Sequence, residues 1–192
     1  MPFTSERVTR IIVPLSLALL MAATRFHHFG SSVSLPDASL AVFFLAGIFL
    51  SWRWFPAFVL LAGLIDYVAV TWAGVSDWCI TPAYAFLVPT YAIMTLGGWW
   101  GRRYIALRAA DLPPMFALAA LSATAAFAVS NGSFYLYSGY FTGLPSGSYF
   151  AGTARYFLPY ISAALVYIAL CLAGVRLARL GAPRVAPDAS RR

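Results

Sequence analysis

The chain has 192 residues, of which 61% are hydrophobic, 17% aromatic and only 10% charged. A soluble domain carries about 25% charged residues, so this composition excludes a cytosolic enzyme, and the apolar content excludes a disordered chain. What remains is an integral membrane protein, and its net charge of +7 has to be explained on that footing.

A membrane-crossing helix needs roughly 20 mostly apolar residues. Long continuous apolar runs, rather than alternating segments of ~10 residues as in a barrel, predict six helices. They cover residues 8–26, 38–50, 55–73, 79–100, 112–130 and 156–178. The first follows Arg7 and Arg10, as a signal peptide would, but no A-x-A cleavage site precedes His27-His28. It is read as a helix. The second is short. No internal repeat is visible. The expected fold is all-α, a bundle of six transmembrane helices in one domain over residues 1–180, with a basic tail over 181–192.

All 13 basic residues are arginines. Arg7, Arg10, Arg53, Arg102, Arg103, Arg108, Arg176, Arg179, Arg184, Arg191 and Arg192 fall on one side of the predicted bundle, and only Arg25 and Arg155 on the other. The positive-inside rule then places both termini in the cytoplasm. The basic charge is a topology signal, and nucleic acid is not expected as a partner. Trp52, Trp54, Trp99 and Trp100 mark the inner interface, and Trp72 and Trp78 the outer one, as aromatic belts do.

The outer connections hold most of the unusual chemistry. One carries the only histidines, His27 and His28. A second, Gly74-Val75-Ser76-Asp77-Trp78, leads into Cys79. The third, residues 131–154, has no charge, five glycines and seven aromatic residues. A structureless loop of that length is usually functional or disordered, and this one is too aromatic for disorder. It reads as a lid over a flat, partly apolar ligand, or else as a loop packed on the helix ends.

Cys79 stands at the outer end of the fourth predicted helix, ahead of Thr81-Pro82. A helix N-terminus lowers thiol pKa, and a thiolate there is a soft metal ligand; an inert cysteine is the alternative. Cys171 lies roughly 20 Å deeper, at 1.5 Å per residue, so no disulfide is expected. Asp66 lies inside the third helix, where a carboxylate is a functional-site candidate by default. A structural bridge from Asp66 to Arg25 or Arg155 is the bland alternative. His27-His28 is a weak metal signal, because successive helical residues point apart. No G-x-S-x-G, H-E-x-x-H or P-loop motif occurs. Ala18 and Ala22 form a small-xxx-small pattern that admits a close helix neighbour.

These features together resemble the substrate-binding S-components of energy-coupling-factor (ECF) vitamin transporters, and among them the cobalamin-specific BtuM type. Cys79 in its D-W-C-I-T-P context, Asp66, Tyr84 and Arg155 carry the resemblance. It implies a cobalamin cavity open to the outside of the bacterial inner membrane, with Cys79 as axial ligand to cobalt. Asp66, Tyr84 and Arg155 would line the corrin pocket, with His27 and His28 as further candidate contacts. Sulfur donation would weaken the bond on the opposite face, so decyanation of cyanocobalamin is an expected accessory chemistry. Ala18 and Ala22 would meet a membrane coupling subunit joined to two ATPases. The rival readings are an S-component for another vitamin, a membrane-anchor subunit of a redox complex, and an intramembrane enzyme using Asp66 and Cys79.

Overall fold

The computed structural model describes residues 3–25 and 35–181. Seven α-helices make up the described chain, with short 3-10 turns and no strand among them. They are α1 (Phe3–Arg25), α2 (Ser39–Phe49), α3 (Trp54–Trp72), α4 (Leu87–Gly101), α5 (Leu112–Tyr137), α6 (Ser146–Thr153) and α7 (Phe157–Gly181). The all-α expectation holds. Three segments are long and apolar enough to cross a membrane: Trp54–Trp72, Ala109–Tyr137 and Ser146–Gly181. Their outward positions carry leucines such as Leu60, Leu121, Leu158 and Leu170, all largely exposed. A helix apolar on its outer as well as its inner face is built for surroundings that are not water.

The bundle is organised around α2. Every residue from Ser39 to Ile48 is buried. At ~1.5 Å per residue this helix is about 16 Å long, roughly half the ~30 Å of a hydrocarbon core. A helix covered on all sides by protein has no need to match that thickness. Its cover comes chiefly from α4, with α1, α7 and α3 on its other sides. Phe43 stacks on Tyr91 of α4 with centroids 4.1 Å apart, and Phe44, Leu45, Met94, Met115 and Ile168 fill the centre.

Glycine sets how closely α2 and α4 approach. A Cβ on Gly98 would stand 1.9 Å from the carbonyl oxygen of Phe44, and one on Gly47 would stand 2.2 Å from that of Thr95. Those neighbours are backbone and cannot turn aside. Gly97 faces α5 across a side chain instead, with the Ser122 hydroxyl 2.0 Å from where its Cβ would stand. Small residues at such crossings let backbones touch, which is where helices without a hydrophobic drive between them find their attraction.

Two predicted boundaries are corrected. The fourth helix does not begin at residue 79: a bonded turn precedes a 3-10 turn at Pro82–Phe86, and α4 starts at Leu87. Proline sits in the first turn, where its missing N–H costs nothing. Residues 131–154 are not a structureless loop. Helix α5 continues to Tyr137 and α6 occupies Ser146–Thr153, so only a short link separates them. Gly139 and Gly143 in that link hold φ of 81° and 84°, which favours glycine because a Cβ is disfavoured there.

Replacing Gly98 by alanine should destabilise the bundle by about 1–3 kcal/mol, the usual cost of overpacking. Gly63→Ala, where a Cβ meets nothing within 4 Å, should be neutral or should raise the melting temperature. Thermal unfolding of both variants in detergent checks the pair.

Candidate functional site

The most concentrated polar chemistry lies at the end of the bundle where α1 stops. Arg25, in the last turn of α1, is 1% exposed. Its Nε donates to Oδ1 of Asp66 and its Nη2 to Oδ2, both at 2.7 Å. This two-pronged pairing matches the planar guanidinium to the planar carboxylate. Nη1 donates to Ser39 Oγ at 2.8 Å and to Tyr91 Oη at 2.7 Å, with Asp37 Oδ2 at 3.3 Å. One side chain thereby joins α1 to α3, to the start of α2 and to α4.

The cation that meets Asp66 is Arg25. Arg155 is exposed, in the turn before α7, with its guanidinium carbon 4.8 Å from the ring centroid of Tyr156. The structure thus decides between the two cations offered by the sequence. It also brings Tyr84 to Asp66, whose Oδ2 accepts the phenol proton at 2.6 Å. Asp66 is therefore a buried hub with hydrogen bonds already made.

Several members of this cluster have no strong sequence signal. Tyr91 reads as one more aromatic in an apolar run. Asp37 and Ser39 do carry a local one, since such residues cluster just ahead of helices. Asp37 Oδ1 accepts from the Ser39 N–H at 2.8 Å and from its hydroxyl at 2.6 Å. Thr24 Oγ1 accepts from the Ala38 N–H at 3.1 Å. These bonds fix the start of α2 against the end of α1.

Cys79 lies in a tight turn between α3 and the Pro82–Phe86 segment. Ile80 N–H donates to the Asp77 carbonyl at 2.7 Å, and Thr81 N–H to that of Cys79 at 3.0 Å. Both Cys79 and Cys171 are free thiols, and Cys79 is exposed. Crowding by protein atoms at the foot of the turn, and then the negative charge of Asp66, push the Cys79 thiol above its ordinary range. This reverses the expectation of a thiol acidified by a helix N-terminus. The residue stands ahead of the 3-10 turn rather than on it, so it gains little from that dipole. Two residues on, Thr81 Oγ1 is buried with no hydrogen-bond partner among the described residues.

An aromatic cap flanks the turn. Trp78 stacks on Tyr140 at 3.9 Å between centroids. Tyr140 packs in turn against Phe134 and Phe141, and Phe141 against Tyr149. Tyr149 is buried and donates to the Asn131 carbonyl at 3.1 Å, and Tyr135 donates to that of Leu144 at 2.7 Å. The aromatics of residues 131–154 therefore face one another, and Trp78 belongs with them.

Ala18 and Ala22 are half-buried and pack on the core, while Leu15 and Leu19 form the exposed face of α1 beside them. His27 and His28 lie outside the described residues. Among the described residues no three metal-ligating side chains stand together. No protein-family model matches the chain, and no curated protein matches it.

Two outcomes follow from this geometry. Arg25→Met strands the Asp66 carboxylate in the interior and should cost about 3–5 kcal/mol, the usual penalty for removing one partner of a buried pair. The double variant Arg25→Met/Asp66→Leu should regain at least half of that loss in detergent melting curves. The alkylation rate of Cys79, followed against pH, should have its midpoint above the ~8.5 of a free cysteine, because the reactive thiolate forms only above the raised pKa.

Proposed function

We propose that the chain is the cobalamin-binding membrane component of a vitamin uptake system in the bacterial inner membrane. In this reading α1, α2, α3, α4, α5 and α7 cross the bilayer, both termini are cytoplasmic, and α6 lies in the outer cap. The arginine distribution supports that orientation. The observation that carries the functional reading is one free, exposed thiol on a bonded turn, beside an aromatic cap and a buried hydroxyl that lacks a partner among the described residues. A buried polar group left unmatched costs about 1–3 kcal/mol, and a ligand rich in amide groups would remove that cost.

A single thiol suits a metal that arrives with its other ligands in place. Cobalt in a corrin is such a metal, with four equatorial nitrogens and two axial positions. The Cys79 sulfur would lose its proton to water and give an electron pair to one axial position, where the dimethylbenzimidazole nitrogen (or a water in its place) would leave with its own bonding pair. Flat aromatic faces in the cap suit the broad corrin edge. Tyr84 and Arg155 would meet the corrin's amide side chains, with Asp66 holding Tyr84 in place. His27 and His28 remain candidate contacts from the first outer connection. Sulfur donation weakens the cobalt–cyanide bond across the ring. Cyanide would leave with its bonding pair, water would take its place, and the oxidation state of cobalt would not change.

The chain carries no P-loop, so uptake would draw on a membrane coupling subunit and two ATPases. Ala18 and Ala22, at the edge of the exposed face of α1, would let a partner helix approach closely.

The test is an absorption spectrum of protein purified in detergent after growth with cyanocobalamin. Wild type should retain corrin with a shifted visible band, and Cys79→Ala should retain less corrin with no shift. The shift should strengthen as the pH rises, since ligation requires the Cys79 proton to leave. Well-folded wild type without corrin would sink the cobalamin reading. Retained corrin with an identical spectrum in both proteins would sink the cobalt–sulfur contact.

A further inference from the structure

The far end of α4 reads Trp99-Trp100-Gly101-Arg102-Arg103. Residues three apart share a helical face, and the 3-10 turn at Arg102–Tyr104 eclipses them more closely. Trp99 therefore goes with Arg102, and Trp100 with Arg103, on two different faces. Each pair lines its own cavity. The first, about 690 Å³, is walled by Trp99 and Arg102 with Trp52, Trp54, Phe55 and Leu96. The second, about 390 Å³, is walled by Trp100 and Arg103 with Tyr104, Leu118 and Leu121.

The charge at this end has one sign to spare. Arg102 donates through Nε to the Gly47 carbonyl at 2.8 Å and through Nη2 to that of Leu50, which closes the end of α2. Its Nη1 makes no hydrogen bond among the described residues. Among the described residues Arg103 donates only through Nε, to the Trp100 carbonyl at 3.0 Å. Arg53 lies exposed between Trp52 and Trp54. The acid in the neighbouring turn, Asp111, accepts from the Arg108 N–H. An apolar wall, tryptophans at its rim and a guanidinium with open donors match the three layers of a phospholipid: acyl chain, glycerol level and phosphate.

We propose that these two cavities are seats for anionic phospholipid, each taking an acyl chain against its wall and the phosphate on Arg102 or Arg103. The repetition of one composition on two faces carries the inference, together with the excess positive charge. The proposal rests on the membrane reading of the bundle and not on cobalamin.

Full-length protein in detergent micelles, doped with equal phosphatidylglycerol and phosphatidylcholine, provides the test by native mass spectrometry. Wild type should hold up to two phosphatidylglycerol molecules, at least tenfold over phosphatidylcholine. Arg103→Gln should reduce the count to one. Arg102→Gln should do the same, and Ser51→Phe, which fills the first cavity from an exposed position, should do so without touching either arginine. Size-exclusion profiles screen for folding; if Arg102→Gln fails there, Ser51→Phe decides the first seat. Equal retention of the two lipids would overturn the proposal, as would two bound phosphatidylglycerols in folded Arg103→Gln and Ser51→Phe. Protein that stays dispersed without detergent would instead defeat the membrane reading, a result distinct from either.

Discussion

The architecture depends on one buried cation. Arg25 spends its donors on a carboxylate of α3, a hydroxyl at the start of α2 and a phenol of α4. Taking a guanidinium out of water costs several kcal/mol even after relaxation. That cost is tolerable where the donors meet acceptors, and here Nε, Nη1 and Nη2 each donate to acceptors drawn from three elements. The pair adds little net stability compared with a well-packed apolar substitute. What it adds is geometry. Apolar faces slide over one another with small penalties, whereas a two-pronged bond at 2.7 Å admits one register. Asp66 and Arg25 therefore fix where α1 ends relative to α3, and Tyr91 fixes α4 against both.

Backbone contact supplies the complementary constraint further along α2 and α4. Gly47 and Gly98 bring two backbones together with no side chain between them. Contact this close places Phe43 flat on Tyr91 and so aims the Tyr91 hydroxyl at Arg25. The polar cluster and the glycine crossing are thus two parts of one arrangement. The glycines set the separation of α2 and α4, and the arginine sets the register of the helices around them.

Much of the fold was legible in the sequence, because apolar runs long enough to cross a bilayer leave few alternatives. The bounds of α2, α3 and α7 fall within a few residues of those read from hydropathy. The failures share a cause. Residues 131–154 look like a loop because glycine and serine interrupt the apolar pattern, yet the aromatics among them pack ring against ring around the buried Tyr149, beside helix on both sides of a short link. Cys79 looks like a helix start because Thr81-Pro82 follows it, but the turn at Asp77–Ile80 intervenes. The choice of Arg25 over Arg155 for Asp66, and the parts played by Tyr91 and Thr81, depend on which helices are neighbours, and a single sequence does not state that. Gly97 and Gly98 do carry a signal in the sequence, since small residues in an apolar helix are the ordinary sign of a close crossing, but the partner helix is not stated there.

The site as a whole divides labour between two kinds of structure. Beneath the turn, Tyr84 binds Asp66, and Asp66 binds Arg25, so the floor next to Cys79 is tied to α3 and α1 by short bonds. Above it, the link between α5 and α6 turns on two glycines in left-handed conformation, and its aromatics meet Trp78 through ring faces. Ring stacking is worth about 0.5–1.5 kcal/mol beyond the area it buries, far less than breaking the ion pair would cost. Any opening at this end must therefore separate Trp78 from Tyr140 before it disturbs Arg25. The cheap motion lies in the ring-stacked cap, and the expensive one lies where the helices are held in register.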